Sequence, residues 1–137
     1  MKKLLILSLV FQILQATTSF SLALMHNDFL GKWKIIKADI DGVVYKITDK
    51  NAFLFFKQKK FLGNVGCNDF FGNYDVMEQQ KIIIAPNNAT NKTCNIKALE
   101  LETKFLRYFM GNFTIEKEGK VFVLQNARLK IYLKALK

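Results

Sequence analysis

Two cysteines and one histidine are the residues of this 137-residue chain best suited to metal or thiol chemistry. Cys67 and Cys94 lie 27 positions apart, while His26 lies far upstream of both. A metal site would need further ligands of matching type, and a catalytic thiol would need a nearby histidine base. We therefore expect a structural disulfide, with two buried free thiols or a reactive thiol as alternatives.

Other catalytic groups are scarce. Serine occurs only at positions 8, 19 and 21. The Asp39-Ile-Asp41-Gly turn lacks the later ligands of a calcium loop. Glu100 and Glu102 are two positions apart, so on a helix they point in different directions and cannot act as an acid–base pair. We predict no catalytic residue, no metal site and no cofactor, and hence a protein that is not an enzyme.

Residues 1–23 have the pattern of a secretory signal peptide. Lys2 and Lys3 precede an 11-residue apolar stretch, and the small residues Ser21 and Ala23 suit cleavage after Ala23. The apolar stretch is too short to span a bilayer, and no cysteine lies at the cut for lipid attachment. The prediction is a cleaved leader at 1–23 and one domain at 24–137, periplasmic or secreted, with no transmembrane span and no lipid anchor.

Cleavage after Ala23 would also remove all three serines, which excludes Ser-nucleophile catalysis for the exported chain. The basic charge is carried by 19 Lys and only 2 Arg. Because specific base and phosphate recognition depends on the bidentate guanidinium, we predict no specific nucleic-acid partner. The lysines are interpreted as a solvated surface, with weak contact to an anionic membrane surface as the alternative.

The pattern of the exported domain is rich in strands, with one helix. Short apolar or alternating segments predict the strands, and they are Trp33–Ala38, Val43–Ile47, Ala52–Phe56, Lys81–Ala85, Phe113–Glu116, Val121–Leu124 and Leu129–Leu133. A helical period runs from Ile96 to Met110, with Asn95 as N-cap and Gly111 just past the end. The predicted fold class is α+β, a small and strongly curved antiparallel sheet packed on one main helix.

The stretch Gly63–Tyr74 (GNVGCNDFFGNY) concentrates glycine, asparagine and aromatic residues. Glycine permits sharp bends, and the neighbouring aromatic side chains supply buried bulk. The stretch lacks the lysine and the strand-to-helix setting of a phosphate-binding loop. We predict an architectural corner that a bridge from Cys67 would hold.

The chain resembles the META domain (HslJ-like) family of bacterial envelope and heat-shock-associated proteins from about Phe29 to Leu133. The residues that match the family pattern are Leu30, Gly31, Trp33, Gly66, Cys67, Asn68, Phe70, Gly72, Tyr74, Thr90, Cys94, Glu102 and Phe105. The resemblance implies a small α+β domain with a curved, incomplete barrel, similar to secretion-pilot proteins. It brings no catalytic residue, so these positions are expected to be structural.

The expected function is a non-enzymatic exported envelope protein, a stress-associated binding or scaffolding domain. One alternative is a periplasmic carrier of a lipid or other apolar ligand, because the chain has 13 phenylalanines. Another is a pilot-like chaperone or inhibitor of another exported protein. The partner is an unidentified envelope protein or apolar ligand, and we expect a monomer.

Overall fold

The computed structural model describes residues 28–77 and 80–136. The predicted leader at 1–23 and its cleavage site lie outside these residues. The described elements are the strands β1 (Gly31–Ile40), β2 (Val43–Lys46), β3 (Phe53–Lys57), β4 (Lys60–Asn64), β5 (Asp69–Met77), β6 (Lys81–Ala89), β7 (Gly111–Glu118), β8 (Val121–Gln125) and β9 (Leu129–Ala135), with the helix α1 (Ile96–Tyr108) between β6 and β7.

The sheet closes into an antiparallel barrel of eight strands. Strands β3 to β9 pair in chain order, and β1 pairs with β3 on one side and with β9 on the other. The β1–β9 pairing runs from Trp33–Ala135 to Ile40–Leu129. Strand β2 pairs only with the second half of β1 and stands outside the closed ring.

The predicted incomplete barrel on one main helix is therefore wrong. The strand-and-helix pattern was compatible with an open sheet, but hydrogen bonding between the first and ninth strands closes the ring of eight strands and leaves no open edge in it. This pairing joins residues about 100 positions apart, so it could not be predicted from the local hydrophobic pattern of either strand. The helix packs on one end of the closed barrel, and it is short, at 13 residues.

The corner predicted at Gly63–Tyr74 is mostly strand. β4 and β5 run through it and are joined by residues 65–68, so the sharp bend is confined to that short connection. Gly72 lies within β5, where its pairing with Pro86 sits beside a register shift. A Cβ on Gly72 would overlap the carbonyl group of Ala85, so only glycine fits there.

Aromatic rings fill the barrel from one end to the other. The ring of Phe29 lies 4.2 Å from that of Phe56, and Phe56 lies 6.5 Å from Phe61. The column continues from Phe61 to Phe109 at 5.4 Å and from Phe109 to Phe105 at 5.1 Å. All five side chains are at most 3% exposed. The interior is thus occupied by the chain's own side chains, and burial of this apolar surface is the main source of stability.

Each end of the barrel has its own cover. Phe29, just before β1, is held where Trp33 Nε1 donates to its carbonyl oxygen at 2.8 Å. The opposite end, which we call the helix end, lies where β4 finishes and β5 begins, and α1 covers it. Asn95 caps α1 as predicted, its side chain accepting from the N–H of Ala98 at 2.8 Å. The predicted apolar stripe of α1 is only partly buried, since Leu99 is 46% exposed.

Candidate functional site

The polar family residues meet at the helix end, where they tie α1 to the connection between β4 and β5. Cys67 from that connection forms a disulfide with Cys94, which precedes α1, and their Cα atoms lie 5.8 Å apart. Asn68 lies next to Cys67, and Glu102 reaches it from the helix. We call Cys67, Asn68, Thr90, Cys94 and Glu102 the clamp.

Asn68 and Glu102 form the buried centre of the clamp. The backbone N–H of Asn68 donates to Glu102 Oε2 at 2.6 Å, and its side-chain amide donates to Oε1 at 2.8 Å. The two residues are 6% and 4% exposed. A buried carboxylate is costly unless it is hydrogen-bonded, and here each oxygen accepts from Asn68.

The other side of Asn68 binds the segment that follows β6. Its Oδ1 atom accepts from Thr90 Oγ1 at 3.0 Å and from the N–H of Lys92 at 2.7 Å. Thr90 Oγ1 in turn accepts from the N–H of Asp69 at 3.0 Å. One asparagine therefore joins three segments that are distant in sequence: residues 65–68, residues 90–92 and α1.

A second, more exposed set of contacts supports the clamp. Lys92 Nζ lies 3.0 Å from Asp69 Oδ2, and Asn64 Nδ2 donates to Asp69 Oδ1 at 2.8 Å. The hydrogen bond from Asn64, and then the one from Lys92, lower the pKa of Asp69. The family pattern does not include Lys92. Its hydrogen bond to Asn68 comes from the backbone N–H, which every residue except proline has, so the single sequence carried no signal for this contact.

Glycine is required beside the clamp at Gly66. Its φ is +122°, in the region that disfavours other residues, and its N–H donates to Asn64 Oδ1 at 2.7 Å. This geometry turns the chain so that Cys67 and Asn68 face α1. The Gly-Cys-Asn order of the family pattern is thus explained by the backbone: the glycine allows the turn that presents the cysteine and the asparagine to the helix.

Phe70 and Phe105 lie beneath the clamp. Their ring centroids are 5.9 Å apart, and both side chains are fully buried. The structure thus brings together eight of the predicted family residues: Gly66, Cys67, Asn68, Phe70, Thr90, Cys94, Glu102 and Phe105. The remaining five, Leu30, Gly31, Trp33, Gly72 and Tyr74, lie on or beside β1 and β5, away from the clamp.

A separate polar contact fastens the other side of α1. Asp41, in the turn between β1 and β2, accepts from Tyr108 Oη at 2.6 Å and from Arg128 Nη1 at 2.7 Å. The Tyr108 hydrogen bond, followed by that of Arg128, lowers the pKa of this exposed carboxyl group. The carbonyl oxygen of Tyr108 also accepts from Asn126 Nδ2 at 2.9 Å. The predicted turn at Asp39–Gly42 therefore serves to hold the helix.

These contacts define what the helix end can do chemically. Both oxygens of Glu102 are engaged by Asn68, so the carboxylate is held as a structural acceptor. Glu100 is exposed on the outer side of α1, so the two acids do not face each other. In residues 28–77 and 80–136, no group of three or more metal-ligating side chains is placed to hold an ion.

Surface depressions lie on the outside of the barrel. One of about 590 Å³ is open to solvent beside β7 and the β8–β9 turn, and its lining includes Phe113 and Lys81. Another, of about 410 Å³, adjoins the turn between β3 and β4. Within the part of the chain that the structure describes, no helix has the length and apolarity needed to cross a bilayer.

The closed barrel, the covering helix and the clamp define a class: a small antiparallel barrel whose polar signature residues fasten one helix across its end. The family model of the META domain matches residues 27–135, and the chain belongs to this family. The predicted family resemblance is thereby confirmed. No curated protein matches the chain.

Two solved structures share the fold. One is a lipocalin-like protein from Bacteroides uniformis, 20% identical, with a TM-score of 0.53, covering 80% of this chain and 99% of its own. The other is an uncharacterized protein from Bacteroides eggerthii, also 20% identical, with a TM-score of 0.52, covering 78% and 99%. At this identity the likeness concerns the barrel fold, which agrees with the strand order described above.

Proposed function

We propose that this chain is a non-enzymatic, exported envelope protein, a stress-associated META domain that acts by binding or scaffolding. The observation that carries the proposal is the clamp. Asn68 uses its N–H, its amide and its carbonyl oxygen on Glu102, Thr90 and Lys92, and the two cysteines are joined. The polar family residues are thus engaged within the fold, which leaves the outer surface of the barrel for partners.

Export is supported by the pattern of residues 1–23 and by the disulfide, since disulfides persist in oxidising compartments. Expression in a bacterial host with mass spectrometry of the periplasmic fraction tests this. We expect a chain that begins at Leu24 and lacks two hydrogens relative to the reduced form. Replacing Ala23 with Trp should block cleavage, and an uncleaved, cytoplasmic wild-type chain would contradict export.

The dependence of cell survival on the amount of this protein distinguishes a binding function from a catalytic one. A strain that lacks the chain is complemented under heat stress from a titratable promoter. Because a binder acts in proportion to its amount, survival should fall steadily as expression falls. Full survival at a few per cent of the native level would indicate turnover and would overturn the non-enzymatic assignment. A Glu102→Ala variant provides the control for loss of folded protein.

A carrier of an apolar ligand is the second candidate, because the closed barrel is a fold that can enclose one. The column of rings from Phe29 to Phe105 occupies the interior, so a ligand would have to displace these side chains. Titration with a fluorescent fatty acid tests this directly. Saturable binding by the wild type would support a carrier, whereas binding only by a Phe109→Ala variant would show that the native interior is closed.

A further inference from the structure

A row of apolar side chains crosses the outside of the barrel. The strand register places Phe55 of β3 opposite Leu62 of β4, and Leu62 opposite Phe71 of β5. Their sequence neighbours Leu54 and Phe70 face the core, so these three point outward. Leu62 and Phe71 are 36% and 41% exposed, and Phe55 is half-buried. A continuous apolar row on an outer surface indicates an interaction site.

Lysines border this row at one end and along one side. Lys32 of β1 pairs with Phe55 and so continues the same line across the sheet. Two positions along β3 from Phe55, towards the Phe29 end of the barrel, Lys57 also faces outward and lies opposite Lys60 of β4. Lys59 lies in the turn between them, and all four lysines are exposed. We call these residues the basic-aromatic face: Lys32, Phe55, Lys57, Lys59, Lys60, Leu62 and Phe71.

Negative charge is confined to one margin of the face. The outward-facing acids on β5 are Asp69, which is paired with Lys92, and Asp75. Strands β3 and β4 carry no acidic residue at all. In residues 28–77 and 80–136, none of the lysines of the face forms an ion pair. Asp75 lines the same surface depression as Lys59 and Lys60. With four lysines and this one nearby acid, the face still presents an excess of positive charge beside the apolar row.

The lysines in and beside the turn between β3 and β4 are unfavourable for local stability. Lys59 has φ of +58°, a left-handed conformation that glycine and asparagine adopt more readily. Lys57 and Lys60 are directly opposed across the hairpin, where like charges repel. Two unfavourable choices at one tip are expected where a sequence serves a function rather than the fold.

We propose that the basic-aromatic face docks the protein onto a membrane surface rich in anionic phospholipid. Lysines attract the lipid phosphates, while the apolar row inserts among the headgroups and the first part of the acyl chains. A soluble polyanion would use the lysines but leave the apolar row without a role. A second copy of the chain would bring lysines against lysines. The inference rests on the proposed function, because it names a partner for the outer surface.

Co-sedimentation of the exported chain with vesicles tests the proposal. We expect binding to phosphatidylcholine mixed with an equal amount of phosphatidylglycerol, no binding to phosphatidylcholine alone, and weakening by salt. Replacing Lys57, Lys59 and Lys60 with Gln should reduce the affinity about tenfold or more. The control replaces three exposed lysines elsewhere, Lys81, Lys97 and Lys120, which changes the net charge equally. Equal losses in the two triple variants would overturn a specific face.

Two single variants separate lipid from other partners. Lys59→Gly should raise the melting temperature, because it relieves the left-handed lysine, yet weaken vesicle binding. Phe71→Asn should weaken vesicle binding while leaving binding to soluble polyphosphate unchanged. If Phe71→Asn has no effect on vesicles and polyphosphate competes fully, the partner is a soluble polyanion and the lipid proposal is wrong. That result would leave the expression-titration test of the proposed function unaffected.

Discussion

Glu102 accepts two hydrogen bonds from Asn68, one from the backbone and one from the side-chain amide, across 34 positions of sequence. Both residues are buried, so this contact fixes the helix against the connection between β4 and β5. A hydrophobic stripe alone would let α1 slide or rotate, whereas paired hydrogen bonds fix its position.

Removing the Glu102 carboxylate should therefore destabilise the whole domain. We expect Glu102→Ala to lower the free energy of unfolding by about 3 kcal/mol, because it leaves the two Asn68 donors buried without acceptors. Chemical denaturation measures the change. The matched variant is Glu100→Ala on the exposed side of the same helix, which should stay within about 0.5 kcal/mol of the wild type. Equal effects at both positions would contradict the role of the clamp.

The Cys67–Cys94 disulfide should add stability by restricting the unfolded chain. The loop it closes spans 27 positions, so a Cys67→Ala/Cys94→Ala variant should lose about 3.5 kcal/mol in the chain-entropy estimate. A reducing agent should lower the melting temperature of the wild type to that of the double variant and leave the double variant unchanged. A reductant-insensitive wild type would show that the bridge does not contribute.

Gly72 and Gly42 should respond differently to alanine, for different reasons. A Cβ at position 72 would overlap the backbone of Ala85 and Pro86, so Gly72→Ala should cost roughly 3 kcal/mol or more. Gly42 has no atom within 4 Å of the added carbon, and only its φ of +81° is unfavourable, so Gly42→Ala should cost about 1 kcal/mol. Thermal melts of the two variants under identical conditions provide the comparison.

Tyr74 carries a buried hydroxyl group without a hydrogen-bond partner among the described residues. Removing that oxygen relieves an unsatisfied polar group while the ring keeps its packing against Phe56. We therefore expect Tyr74→Phe to raise the free energy of unfolding by about 1 kcal/mol. A loss of stability would mean that the hydroxyl has a partner that the described residues do not include.

Alkaline pH should destabilise the protein through the same residue. Burial raises the pKa of Tyr74 above its ordinary value of 10.0. The unfolded chain releases the phenolic proton near pH 10 while the folded chain retains it, so stability falls as pH rises above 10. Denaturation between pH 9 and pH 12 should show a smaller decline for Tyr74→Phe than for the wild type. Identical slopes would contradict the raised pKa.

Local patterns in the sequence identified most of the elements. The alternating and apolar segments around Trp33, Phe53 and Ile131 became strands, and Asn95 caps the helix as expected, because these features depend on neighbouring residues alone. β4 and β5 were both missed: glycine and asparagine in Gly63–Tyr74 obscured the pattern of β5 and of the end of β4. Barrel closure could not be predicted, because it depends on register between distant strands.

The clamp was predictable as a set of residues but not as a network. The resemblance named Asn68, Thr90 and Glu102, yet a sequence motif does not state which atoms meet. Lys92 is not one of the family-pattern residues and still contributes, since its backbone N–H needs no particular side chain. The basic-aromatic face was invisible for a related reason: Phe55, Leu62 and Phe71 become neighbours only once three strands are aligned.

The pairing of β1 with β9 also governs how the protein can be made. Among the described strands β1 is synthesised first and its partner β9 last, so the ring cannot close until β9 has been made. Until then β1 has an unpaired edge that could add to another chain. Slow, late closure of this kind favours a chain that is kept unfolded until β9 is available. Loss of β9, a strand of seven residues, should therefore damage the whole barrel, because without it the ring cannot close.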